Sequence, residues 1–172
     1  RGSFSSGTDR FVKPRVIYDS TNARFAIFYA RYAAAGATFS VYGEYVPAAG
    51  GAIVPCGLFF TTAAGVAVES TVASAALFDV AIYQGQGYAV VARSTVAAGN
   101  IYMKVLSLTL AAVTATTNAA PAAVPVSLTA HATYVGAVFT AHALYGAGLN
   151  LRGYTHTGGV QSAEATIVTY AT

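Results

Sequence analysis

Three windows of this chain align on one another without a gap: RFAIFYARYAAAGATFSVYGEYV from Arg24, GYAVVARSTVAAGNIYMKVLSLT from Gly87, and GAVFTAHALYGAGLNLRGYTHTG from Gly136. Each carries a hydrophobic run, a small-residue turn ending at a shared glycine (Gly36, Gly99, Gly148), and a second β-rich run. A repeat of this kind is one supersecondary unit copied three times, and no copy can bury its apolar face without a neighbour. Glycine suits the shared turn because hairpin loops need positive φ, which side-chain-bearing residues adopt only at a cost.

The flanking sequence completes the unit. RVIYDSTNA, FDVAIYQGQ and SLTAHATYV precede the windows, and each reads as a strand followed by a tight turn. STNA and QGQG are turn chemistry, and Asp19 is expected to cap the first of them through its side-chain oxygen. AIVPCGLFFTT, LAAVTATTN and VQSAEATIVTYAT follow the windows and offer a fourth strand. The predicted fold is therefore all-β: one domain of three tandem four-stranded antiparallel repeats, at about 13–62, 76–118 and 124–172, after a lead-in segment 1–12. The extra length in the first interval falls in the Ala-, Thr- and Ser-rich stretch Thr61 to Ala75, read as a loop insertion.

Alanine is abundant enough to raise helix as a competitor, but the periodicity is two. Phe39, Val41 and Gly43 alternate with Thr38, Ser40 and Glu44, and Leu149, Leu151 and Gly153 alternate with Asn150, Arg152 and His156. The first set of each pair is expected to face inward. In the middle copy Ile101, Met103 and Val105 read as inward with Lys104 outward, one residue out of phase with Phe39 and Val41. Either a β-bulge lies there or the alignment slips by one.

Composition limits the chemistry. Hydrophobic residues are 55 % and charged residues 9 %, against roughly 25 % charged in ordinary soluble chains, which excludes disorder. A single cysteine, Cys56, excludes a disulfide framework and cysteine-based metal sites, and beside Pro55, Leu58 and Phe59 it reads as a small buried hydrophobe. The six acids, Asp9, Asp19, Glu44, Glu69, Asp79 and Glu164, show no paired spacing of the sort glycoside hydrolysis uses. His131, His142 and His156 lie too far apart in sequence for a zinc motif. His142 takes the slot of Ala30 and Arg93, and His156 that of Glu44 and Ser107, the variability of solvent-facing positions.

GQG at Gly85 to Gly87 lacks the helix that a dinucleotide site requires. Arg1, Arg10, Lys13, Arg15, Arg24 and Arg31 crowd the N-terminal part, opposed only by Asp9 and Asp19, without the density that tracks phosphates. The charge-free stretches Tyr45 to Val68 and Val105 to Leu151 are broken by prolines and glycines, so neither offers a spanning helix; a transmembrane β-barrel is a weaker alternative, its aromatic girdles having no clear place. No cofactor, metal, nucleic acid or membrane insertion is expected. The opening RGSFSSGTDR, with neither initiator Met nor signal-peptide pattern, reads as a processed or excised product.

Aromatics are the remaining resource, with 12 Tyr, 9 Phe and no Trp. Tyrosine is amphipathic and enriched at interfaces, so Tyr32, Tyr42, Tyr134, Tyr145 and Tyr154, close to loops, are the candidate ligand or subunit contacts. The lack of Trp counts against a typical sugar-binding lectin.

The string PRVIYDSTNARFAIFYAR, Pro14 to Arg31, resembles a repeat found in tandem in bacteriophage tail-fibre and virion-surface proteins, and more loosely other β-propeller blades. FDVAIYQGQGYAVVAR and SLTAHATYVGAVFTAH are weaker copies, and only the first carries the Tyr18-Asp19 signature. The resemblance implies four-stranded propeller-like blades and a non-enzymatic role in adhesion or virion architecture, at a virion surface or outside the cell. Three blades do not close a ring, since propellers take roughly four to eight. The chain is thus expected to belong to a longer fibre, to associate with further copies or other appendage subunits, or to fold instead as a β-trefoil or β-prism-like unit. A cell-surface glycan is the expected ligand. The alternatives are a carbohydrate-binding propeller or trefoil and a glycan-degrading domain.

Overall fold

The computed structural model describes residues 10–33, 38–61, 78–93, 100–110, 117–119, 127–147, 149–157 and 160–169. Strands β1 (Arg10–Asp19), β2 (Arg24–Ala33), β3 (Thr38–Pro47) and β4 (Val54–Thr61) form the first sheet. The middle sheet holds β5 (Phe78–Tyr83), β6 (Gly87–Arg93), β7 (Ile101–Leu106) and β8 (Thr117–Ala119). The third holds β9 (Ser127–Val135), β10 (Val138–Ala147), β11 (Asn150–Thr157), β12 (Val160–Gln161) and β13 (Ala165–Thr169). Both β12 and β13 pair with β11, so together they occupy the fourth position. The chain is all-β, as the repeat predicts, and each sheet is an antiparallel meander in sequence order. Residues 10–12, expected in the lead-in, belong to β1 instead because Arg10, Phe11 and Val12 pair with Tyr32, Arg31 and Ala30.

The sheets stack face to face. Ala26, Phe28 and Val41 of the first pack with Phe78, Val80, Tyr88, Val90, Ala92 and Leu106 of the middle sheet. Ala89, Val91, Ile101, Met103 and Val105 of the middle sheet pack with Leu128, Ala132, Ala141, Ala143, Tyr145 and Tyr154 of the third. Alternate residues of β6 therefore serve two different cores, which is why Tyr88 to Ala92 are all buried in what would otherwise be a half-exposed strand. Burial of each larger side chain in these layers contributes about 1.5–3 kcal/mol.

This layering corrects two of the expected alternatives. A prism turns three sheets onto one shared core, whereas here the middle sheet separates two. A trefoil hydrogen-bonds strands of different repeats into a common barrel, whereas every strand pairing among the described residues stays within one copy of the repeat. Nor does any helix among the described residues reach the length and apolarity to cross a membrane.

The phase conflict in the middle copy resolves as an alignment slip. Ala33 pairs with Thr38, Arg93 with Ile101 and Ala147 with Asn150, so the connections span four residues (34–37), seven (94–100) and two (148–149). Four and two differ by an even number and keep the second strand in phase, while seven differs by an odd number and exchanges its faces. No bulge interrupts the pairing of β6 with β7. Gly36, Gly99 and Gly148 lie outside the described residues, as does nearly all of the stretch read as an insertion.

One face is reversed from the expectation. In β11 and the residue before it, Leu149, Leu151 and Gly153 were expected inward, yet Tyr154 and His156 are buried against the middle sheet while Leu149 is half exposed. Gly153 faces the other way, where an added Cβ would lie 2.9 Å from the Leu144 side chain and 3.3 Å from that of Ile167. Apolarity alone misassigned the strand because the third sheet leaves its apolar forward side uncovered.

Candidate functional site

Two carboxylates organise the places where sheets meet. Asp19 ends β1 and caps the following turn as expected: it accepts hydrogen bonds from the Asn22 backbone N–H (3.2 Å) and side-chain amide (2.8 Å). It also accepts from Arg24 Nε at 3.1 Å and, across the sheet interface, from the Tyr88 hydroxyl at 3.0 Å. Burial alone pushes the Asp19 carboxyl up, but donors from Asn22, Tyr88 and Arg24 outweigh it and hold it below its ordinary value. Burial, with the Asp19 charge beside it, pushes the Tyr88 hydroxyl up to about 12. Arg24 lies over the Tyr45 ring, 4.5 Å from its centroid. Nearby, the Gln84 side chain accepts from Ser20 and donates to the Tyr18 carbonyl, latching the first turn of one sheet to the first turn of the next.

Asp79, on β5, joins all three sheets. It accepts from Arg15 Nε of β1 (2.9 Å) and from the Thr129 hydroxyl (2.8 Å) and Ala130 N–H (3.0 Å) of β9. The first strands of the repeats thus succeed one another along one side of the stack. Glu44 accepts from the Tyr29 hydroxyl, and Glu164 pairs with Arg152 at 3.0 Å. Each of the four acids among the described residues has a protein partner; Asp9 and Glu69 lie outside them.

The histidines divide. His131 and His142 sit directly opposite each other on β9 and β10, rings 5.7 Å apart, with His142 Nε2 at 2.8 Å from the Thr133 hydroxyl. Burial, with His131 alongside, lowers the His142 pKa. His156, expected at a solvent-facing position, is instead fully buried, and neither ring nitrogen has a partner. Burial lowers its pKa too. The displacement follows from the reversed face of β11. Among the described residues, no group of three or more His, Cys, Asp or Glu could hold a metal ion.

The candidate tyrosines are not brought together. Tyr42 stacks on Tyr29, centroids 5.7 Å apart, on the face of the first sheet turned away from the stack. Tyr134 packs on Tyr83 across the interface of the middle and third sheets. Tyr145 and Tyr154 are buried and stacked on each other in the second core, so for these two the contact role is corrected to an internal one. Pairing places both on the inward face of the third sheet, directly beside Ala143 and opposite the middle sheet. The backbone of Tyr32 pairs with Arg10 and Phe39, but its side chain, like that of Cys56, lies outside the described residues.

Sequence reading missed two surfaces. The rear face of the first sheet carries Val16 (61 % exposed), Tyr18 (47 %) and Phe25 (39 %), with Tyr29 and Tyr42 alongside. The forward face of the third carries Val135 (77 % exposed), Val138, Ile167 and the His131–His142 pair. The signal was present as the strands' second apolar face, unreadable without knowing which sheet lies at an end.

No family model matches the chain, and no curated protein matches it. Among solved structures, an exo-beta-1,3-galactanase from Phanerochaete chrysosporium with beta-1,3-galactotriose is similar at 15 % identity and a TM-score of 0.47. The match covers 96 % of this chain and 38 % of that one.

Proposed function

We propose that the chain is a run of three β-propeller-like blades serving as a non-enzymatic structural and adhesive module of a phage or virus-like surface appendage. The observation that carries this reading is the stack itself: three copies of one meander, layered forward face on rear face, with apolar faces left open at both ends. The partnered acids support it as well, since Asp19 and Asp79 are engaged in joining sheets. Such a module acts by presenting a rigid repeated surface, where weak contacts gain strength through effective concentration.

A second reading, a carbohydrate-binding module of cellular origin, is favoured by the aromatic rings of Tyr18, Phe25, Tyr29 and Tyr42 on one open face. Glycan-array binding of the multimerised chain, with Tyr18→Ala and Tyr42→Ala variants, separates the two: retention of free oligosaccharide lost in both variants favours the sugar site. Sugar release from polysaccharide that disappears on Asp79→Asn would overturn the non-enzymatic role.

A further inference from the structure

The two internal interfaces follow one rule at the end of each first strand. The forward-facing residue there meets an aromatic ring on the rear of the next sheet: Asp19 bonds the Tyr88 hydroxyl, and Tyr83 packs on the Tyr134 ring at 5.7 Å. Asp19 and Tyr83 hold corresponding places, since each closes the first hairpin of its sheet, opposite Arg24 and Gly87. In the third sheet that place belongs to Val135, opposite Val138, and it is the most exposed of the large hydrophobic residues described. On the first sheet, the place of Tyr88 on the rear face belongs to Phe25 and that of Tyr134 to Tyr18, the two rings packed 5.2 Å apart with no sheet among the described residues behind them. Each half of a third such contact is therefore present at an opposite end of the stack.

We infer that two copies of this chain associate head to tail, the forward face of one third sheet on the rear face of the partner's first sheet, with Val135 seated against Phe25 and Tyr18. The occupant is a second copy because, among the described residues, the one uncovered forward face of this repeat is the chain's own. Two copies make six sheets, inside the roughly four to eight of closed propellers, and closure satisfies both ends of both chains. Val135, Val138, Phe25 and Tyr18 then leave water together. This rests on the blade reading above.

Native mass spectrometry of the full chain is expected to give twice the 17.5 kDa of one chain, and Val135→Asp, which adds a charge at an exposed position, to return it to a single chain. In a Cys56→Ser background, mild oxidation of Val135→Cys chains mixed with Tyr18→Cys chains, the pair that corresponds to Tyr83 and Tyr134, is expected to give a covalent dimer, and either variant alone to give none. A Tyr83→Cys/Tyr134→Cys chain is expected to close its bridge internally. Failure of that internal bridge would sink the blade reading itself. Formation of it without the mixed dimer, a monomeric mass, or bridging of Val135→Cys chains to themselves would overturn head-to-tail pairing alone.

Discussion

The interface between the first and middle sheets holds a satisfied charge in its buried part, whereas that between the middle and third sheets keeps its hydrogen bonds, from Thr129 and Ala130 to Asp79, near the exposed edge and buries unsatisfied polarity within. Asp19 is fully buried yet receives four hydrogen bonds, one of them from the facing sheet. Across the other interface, His156 and the Tyr145 hydroxyl are buried with no partner. A buried polar group without a partner carries its desolvation cost undiminished, while one that is bonded can fix register. The buried part of the first interface is thus specified by direction and that of the second by apolar shape, with Ala132, Ala141 and Ala143 on its third-sheet side.

The sharpest way to break this contrast is Asp19→Ala. It strands the Arg24 guanidinium and the Tyr88 hydroxyl together, so urea unfolding is expected to show a loss of about 3–5 kcal/mol. An intact midpoint would show that the network is not what holds the first interface.

Acid separates the interfaces by pH window. His156 has a lowered pKa in the folded chain, so the unfolded state binds more protons below the ordinary histidine value near 6.5. Its contribution is present above that value and is lost as pH falls, by up to about 1.4 kcal/mol per pH unit for one group. His142 acts with the same sign. Asp19, also lowered, keeps its contribution until the pH drops below the ordinary carboxylate range near 3.9. Thermal melts between pH 7 and 5 are expected to fall, and His156→Phe to flatten the slope; an unchanged slope in that variant would count against the burial of His156.

The smallest effect distinguishes two tyrosines. Tyr88→Phe removes a hydroxyl bonded to a buried carboxylate and is expected to cost about 1.5–3 kcal/mol at most, whereas Tyr145→Phe removes an unpartnered one and is expected to be neutral or slightly stabilising. Equal losses would remove the distinction between the interfaces.

Local chemistry explains what was legible. The Asp19 turn, the all-β class and the four-strand unit follow from side chains acting on their own backbone and from a period of two. The His131–His142 pair was within reach: with Gly136 and Ala137 both at positive φ, the hairpin between β9 and β10 closes on two residues and sets the two histidines opposite. Centring that hairpin would have placed them. Asp79 was not within reach, because its partners come from β1 and β9, far away in sequence.

The amino-acid order by itself determined which segments extend, where the chain turns, and that one unit occurs three times, because these depend on neighbours along the backbone. Only the tertiary structure decided which face of each strand is interior. A strand with two apolar faces reads alike at the middle and the end of a stack; burial depends on whether another sheet lies there. That is why β6 is buried on both sides, why His156 faces inward beneath a reversed strand, and why Phe25 and Val135 are left exposed at opposite ends.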